Sequence, residues 1–412
     1  MSQLTNKRRV LLALILVTVL AVGVFDSFFG RAGADEGGFS NLRTVLEVAA
    51  LIKTQYVDPV SLTDLFKAYV ATGSINGMLG SLNDPYTRYM DPEAYKQMQV
   101  DTTGVYGGIG IVVGMRDNKL TIVAPIEQTP GFYAGLRGGD VIEFIDGKPT
   151  KNMSQDEAVS LMRGEPGAEV ILGVRKKNGE FQEVSIIREI IEVRSVTRQV
   201  LLDGDIGYIR LSSFSERSVQ ELEQALGSLE RQGMKSLILD LRGNPGGLLT
   251  AAIEIADKFL GQGPILHVVG RNGVVQTIEA QEEGATRNYP MVVMVDGYSA
   301  SASEIVSGAL KDRGIATLVG TQTFGKGLVQ TVIPLRDGSA LSLTTARYHT
   351  AGGTDIHSVG IKPDVIVSLP EGEEPPYYLS DYEGGNVVDI AKDIQLQAAL
   401  DVLRPGELKK AS

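Results

Sequence analysis

Two unbroken apolar runs constrain this chain more than any other feature of it. Leu237-Ile238-Leu239 lies in a strand read over Ser236–Leu241, and Met291-Val292-Val293-Met294-Val295 offers no polar position at all. A strand with one wet face alternates polar and apolar residues, so both are read as buried strands. Each runs at once into turn residues and a helical pattern. Gly243-Asn244-Pro245-Gly246-Gly247 and a helix to about Leu260 follow the first; Asp296-Gly297-Tyr298 and a helix through Leu310 follow the second. Ile315–Val319, Leu328–Leu335 and Ala340–Tyr348 read as further strands, the last two joined at Asp337-Gly338. Strands alternating with helices imply an α/β core whose ligands meet the carboxyl ends of its strands.

At 412 residues the chain has room for two or three domains. Residues 35–103 read as a helical segment: apolar positions recur at helical spacing from Leu42 to about Tyr56, and a second stretch from Leu62 to Leu82 breaks near Gly73-Ser74. The texture changes at Gly104. Residues 104–190 read as a compact β-rich domain of short strands with a hairpin signal at Asp146-Gly147. One helix interrupts them, opened by the capping box Ser154-x-x-Glu157 and carrying Ala158, Leu161 and Met162 on one face. Residues 191–370 hold the α/β core. Residues 371–412 read as a Pro- and Glu-rich linker with one amphipathic helix over Val387–Leu403.

Composition removes several classes of function. With 43% apolar and 22% charged residues the chain can bury a large core, so disorder is excluded as its main state. A formal charge of −11 withholds the electrostatic drive for nucleic-acid binding, and no nucleic-acid partner is expected. The absence of cysteine removes disulfides, thiolate nucleophiles and cysteine-ligated zinc. His267, His349 and His357 show no metal-ligand spacing, so no histidine-based metal site is expected.

Lys7, Arg8 and Arg9 abut an apolar run from Val10 to Phe25, and Ala32-Gly33-Ala34 has the small-x-small pattern of a signal-peptidase site. Residues 1–34 therefore read as an export signal with two fates open: cleavage near Ala34, or membrane anchoring through residues 10–29. Either places residues 35–412 outside the cytoplasm.

Candidate chemistry sits where the second buried strand turns into its helix, at Ser299-Ala300-Ser301-Ala302-Ser303-Glu304. A hydroxyl there faces unpaired helix N–H groups, the kind that stabilise an oxyanion. Ser301-x-x-Glu304 is equally a capping box, and a serine in one commonly does no more than cap. A nucleophilic serine needs a base, and the histidines form no evident set with it. Lysine can serve when burial disfavours its charged form; Lys326, in Phe324-Gly325-Lys326-Gly327, is the best placed. Two decoys fail. Gly320-x-x-x-x-Gly325-Lys326 has Gly327 where a phosphate-binding loop needs Ser or Thr, and Gly108-x-Gly110 lacks the spacing and helix of a dinucleotide fingerprint.

At these residues the chain closely resembles the C-terminal processing peptidases, or tail-specific proteases, which are Ser/Lys endopeptidases with a PDZ domain. The resemblance spans nearly the whole exported part. Asn83-Asp84-Pro85-Tyr86-Thr87-x-Tyr89 resembles the N-terminal signature, Gly107-Gly108-Ile109-Gly110-Ile111 the carboxylate-binding loop, and Leu239 to Gly247 the glycine-rich turn. It implies a crotonase/ClpP-like α/β core with an inserted PDZ domain and an N-terminal helical segment. It implies Ser301 as nucleophile, Lys326 as base and Gln330 as the residue orienting the lysine. The N–H groups of Ala302 and of Gly246 or Gly247 would form the oxyanion hole. Gly108, Ile109, Gly110, Ile111, Leu161 and Arg163 would serve substrate binding, Arg163 equally well as an ordinary helix-end charge. Asp312 matches an acidic residue near the family's site, with a structural role as good a reading. Partners would be protein or peptide substrates with free C-termini, and the Ser/Lys mechanism would require no metal or organic cofactor. A PDZ adaptor with a dead core is the alternative, which loss of Ser301 or Lys326 would have signalled. A crotonase-type acyl-CoA enzyme fits the core but neither the export signal nor the PDZ insertion.

Overall fold

The computed structural model describes residues 36–404 apart from 117, 127, 203, 274, 282–286, 371–387 and 389. The segment read as an export signal and most of the Pro- and Glu-rich stretch lie outside the described residues. Six strands form the core sheet, in the order Val196–Leu202, Ile206–Leu211, Ser236–Asp240, Met291–Val295, Ala316–Gly320 and Val365–Ile366. The first pair is antiparallel and every later pair parallel. Side chains alternate across the sheet, and both faces are covered. Leu237, Leu239, Val293 and Leu318 pack under helices Ser218–Arg231, Leu249–Asp257 and Ala302–Asp312. Ile238, Val292, Met294 and Val319 pack under the C-terminal helix Ile394–Leu403. This double burial is why the strands carry apolar runs.

The C-terminal helix is also tied electrostatically. Arg242, fully buried, donates to both oxygens of Asp240 and both of Asp393, the residue capping that helix. Burial pushes the Asp240 carboxyl up, but Arg242 and Arg210 outweigh it and hold the group down to about 2.

A second, all-antiparallel sheet centres on Ala340–Thr350, which pairs with Leu328–Pro334, Gly263–Gly270 and the short strand Arg88–Met90. Gly263–Gly270 pairs in turn with Val275–Ala280, a largely exposed strand whose Gln276, Thr277 and Glu279 leave no apolar stripe. Helices Glu36–Gln55 and Leu62–Thr72 pack on this sheet through Val48, Ile52 and Leu65 against Leu335, Leu341 and Leu343.

Between the N-terminal helices and the core sheet, Ile111–Arg116, Lys119–Pro125, Val141–Ile145, Glu169–Arg175 and Phe181–Ile187 form a separate sheet in that order. Helix Gln155–Met162 closes it, and Ser154 Oγ accepts the Glu157 N–H at 3.1 Å as the capping box requires. Asp146 and Gly147 both have positive φ, +49° and +73°, and join strands paired at Ile145 and Lys148. Chain entry and exit pair with each other as Val105–Gly108 and Glu189–Glu192.

Candidate active site

Parallel order places the ends of Ser236–Asp240, Met291–Val295 and Ala316–Gly320 side by side. The glycine-rich turn, the serine cluster and the lysine loop therefore meet at one edge of the sheet. Within the serine cluster, Ser299 and Ser303 are wholly buried. Ser299 Oγ donates to the Leu241 carbonyl at 2.8 Å and Ser303 Oγ to that of Asn244 at 2.9 Å, stitching the cluster to the glycine-rich turn. Ser301 is partly exposed. It has φ +56° and ψ −111°, outside the left-handed helical well, on the sharp turn from strand to helix. A non-glycine residue held there stores about 1–3 kcal/mol of strain. Strain of that kind marks the serine of a nucleophile elbow, and here it arises without the G-x-S-x-G sequence.

The strain is sustained by a buried carboxylate. Glu304, fully buried, accepts from the Ser301 N–H at 2.9 Å, the Lys326 N–H at 2.9 Å, the Gly325 N–H at 2.7 Å and Thr323 Oγ1 at 2.6 Å. One side chain thus ties the serine turn to the lysine loop. Tyr348, also buried, donates its hydroxyl to the Ser301 carbonyl at 3.0 Å.

Lys326 Nζ lies 4.7 Å from the centroid of the Tyr86 ring. Burial, with Arg88 adding to it, holds the ammonium's pKa below its ordinary value against the opposing pull of Asp84 and Glu304. Its side chain is not hydrogen-bonded to Ser301 in this arrangement. Gln330 Nε2 donates to Thr344 Oγ1 at 3.4 Å, so the glutamine expected to orient the lysine is turned toward threonine instead.

The oxyanion-hole expectation needs a correction at Gly246. Gly246 packs directly on the serine turn: a Cβ there would lie 2.7 Å from the Ala300 carbonyl oxygen, and its φ is +100°. Its N–H, however, donates to Asn244 Oδ1 at 2.8 Å and is not open to a substrate oxygen. The alternative, Gly247, adjoins it, and Ala302 opens the helix. Asp312 sits at the far end of that helix, about 16 Å from Ser301 at the helical rise; its carboxylate accepts the Gly352 N–H at 2.7 Å.

Within the sheet of residues 111–187, Ile111–Arg116 is an edge strand, paired only with Lys119–Pro125 among the described residues. Ala158 and Met162 are buried, and Leu161 is half-buried against the same core. Gly108 and Gly110 are buried, as is Ile109 in the core beneath; Ile111 packs at its margin. The Ile109 carbonyl accepts the Gly131 N–H at 2.7 Å, and that of Gly110 accepts Thr129 Oγ1 at 2.9 Å. Arg163 departs from the substrate-binding expectation. Its guanidinium stacks 4.3 Å over the Tyr106 ring and bonds Gln97, so the side chain fastens the helix end to helix Pro92–Thr103.

Sequence reading passed over Glu304 except as a cap, and over Asp84, Tyr86 and Tyr348 as parts of a site. A glutamate three residues into a helix reads as a capping residue, and the donors that distinguish this one come from a loop some 20 residues later.

Models of known families match in three places: peptidase family S41 over residues 205–367, a PDZ domain over 121–176, and the N-terminal domain of the activating protease CtpB over 30–94. The carboxy-terminal-processing protease of Bartonella bacilliformis is 38% identical over 405 residues, covering 92% of this chain and 91% of its own. The carboxyl-terminal-processing protease of Synechocystis sp. is 42% identical over 341 residues, 81% and 77% of the two chains. Among solved structures, a photosystem II D1 C-terminal processing protease is similar with a TM-score of 0.53 and 29% identity, over 80% of this chain and 93% of that one. Fold and relatives together define a mixed α/β serine-type peptidase that carries a PDZ domain and an N-terminal helical segment. The chain belongs to peptidase family S41, among the C-terminal processing proteases.

Proposed function

We propose that this protein is an exported endopeptidase in which Ser301 is the nucleophile and Lys326 the general base, and whose PDZ domain takes the C-terminal tail of its substrate. The observation that carries the reading is the shared carboxylate: Glu304 binds the backbone N–H of both residues, so nucleophile and base are held in one frame. A neutral Lys326 takes the Ser301 proton as Oγ attacks the scissile carbonyl. The oxyanion that develops is received by the N–H groups of Ala302 and Gly247. The lysine ammonium then returns its proton to the departing amine, leaving an acyl-enzyme that water hydrolyses. A rotation of the Lys326 side chain off the Tyr86 ring completes the dyad. For the tail, the open edge of Ile111–Arg116 supplies a ladder for strand addition beside helix Gln155–Met162. Export rests on the basic triplet and apolar run ahead of residue 34; among the described residues no helix is long and apolar enough to cross a membrane.

Alanine substitution at each serine of the cluster tests the nucleophile. Ser301→Ala is expected to abolish peptide cleavage with an unchanged thermal melt. Ser299→Ala and Ser303→Ala retain turnover but melt earlier, since each removes a buried hydrogen bond worth about 1 kcal/mol. Turnover that survives in Ser301→Ala and vanishes in either neighbour would falsify the assignment.

A further inference from the structure

Asn83-Asp84-Pro85-Tyr86-Thr87 precedes the PDZ domain in the chain yet lies against the protease strands. Asn83 takes a left-handed backbone, φ +52°, and the strand that follows pairs Arg88 with Ser342. Asp84 accepts from the Tyr86 N–H at 2.9 Å and from Thr87 Oγ1 at 2.6 Å. Those two bonds would make a self-contained turn. Asp84 reaches further: Thr344 Oγ1, 260 residues away, donates to it at 2.6 Å, and this same hydroxyl accepts from Gln330. The Tyr86 ring, meanwhile, lies under the Lys326 ammonium. One short motif therefore touches both the base and the anchor of its glutamine, which turn formation does not require.

We propose that Asp84 and Tyr86 are positioning residues for the general base: Tyr86 sets where the Lys326 ammonium rests, and Asp84, through Thr344, sets where the Gln330 amide points. The inference rests on the Ser301/Lys326 reading. Four groups face the lysine: Tyr86 and Asp84 from this motif, Arg88 from the strand after it, and Glu304 from the serine helix. An aromatic face and a carboxylate favour the ammonium, and the guanidinium opposes it. Losing the Asp84 charge, or the Tyr86 ring face with an apolar leucine kept in its place to preserve the burial, therefore makes the lysine easier to deprotonate while leaving it poorly aimed. The maximum rate falls as the acid limb of the pH profile moves to lower pH. A merely structural loss lowers the rate without moving the limb.

The experiment is the rate at which a fluorophosphonate labels the full-length protein across pH, with the modified residue located by mass spectrometry. Tyr86→Leu is expected to lower the plateau about tenfold and move the acid limb down by about half a pH unit. Tyr86→Phe, which keeps the ring, restores both. Asp84→Asn moves the limb down and Arg88→Gln moves it up. An unmoved limb in a folded Tyr86→Leu protein, with label on Ser301 and labelling lost in Lys326→Arg, overturns the positioning role alone. Label on another residue, or labelling that persists in Lys326→Arg, overturns the dyad itself. Should Tyr86→Leu not fold, Asp84→Asn decides: a lowered plateau with the acid limb moved down supports the role, and an unmoved limb overturns it.

Discussion

The serine turn and the edge strand Ile111–Arg116, proposed above for catalysis and for tail capture, are built in opposite ways. Around Ser301 the neighbouring polar groups are bound within the protein. Ser299 and Ser303 are anchored to the glycine-rich turn, Glu304 gathers four donors, and Tyr348 holds the Ser301 carbonyl. Among the described residues the edge strand is paired on one side only. Bond-making gains from groups that need no rearrangement as charge develops; capture of a varied tail gains from an unfilled backbone ladder with side-chain selection left to the helix beside it. The rigid turn suits the catalytic role proposed for it, and the open edge suits the proposed binding role.

The contrast is broken most sharply at the base. Lys326→Arg keeps the charge, but a guanidinium does not give up its proton in a protein. Peptide turnover is expected to fall by about three orders of magnitude, while a fluorescent tail peptide binds as before by anisotropy. In the unmodified protein turnover is expected to rise with pH through the lysine's depressed pKa, because in the proposed mechanism only the neutral amine accepts the serine proton. Near-normal rates in Lys326→Arg would show that another group is the base.

A smaller effect is expected where the rigid frame is loosened. Glu304→Gln leaves one acceptor oxygen where the carboxylate has two, so some of its four donors lose their partner in a buried place. The protein should lose about 2–3 kcal/mol in urea unfolding and turn over about 10–100-fold more slowly, with tail binding unchanged. Identical melts and rates would mean the turn keeps its strain without this carboxylate.

The binding side gives the smallest change. Gly110 has φ +69°, and a Cβ there would lie 2.3 Å from the Thr129 Cβ. Gly110→Val should raise KM for a free-tailed peptide roughly tenfold and leave kcat nearly alone. Amidating the tail should mimic the substitution in the unmodified protein. Equal KM values for free, amidated and Asp-terminated tails would reduce this domain to a spacer.

Local sequence signals carried far in some regions. The apolar runs at 237–239 and 291–295 announced the two central strands, and Asp146-Gly147 its hairpin. Ser154 announced its helix, because periodicity, turn chemistry and caps act within a few residues. Val275–Ala280 stayed hidden, its largely exposed strand carrying Gln276, Thr277 and Glu279 where an apolar stripe would have shown it. Its partner Gly263–Gly270 does carry apolar Ile265-Leu266 and Val268-Val269, split by His267 and bounded by glycines. Arg88–Met90, at three residues, is too short for a pattern.

By itself the sequence determined an α/β core with buried strands, a β-rich domain ahead of it, and the serine and lysine loops as the places where chemistry could gather. The tertiary structure decided how individual groups are used. It buried Ser299 and Ser303 and strained Ser301, occupied the Gly246 N–H, and committed Arg163 to Tyr106 and Gln97. It also drew Asp84 and Tyr86 from the start of the chain to the lysine. The reason is physical. Secondary structure follows from interactions between near neighbours, whereas a polar group's role depends on which partner reaches it first, and here Asp84 and Thr344 meet across 260 residues of chain.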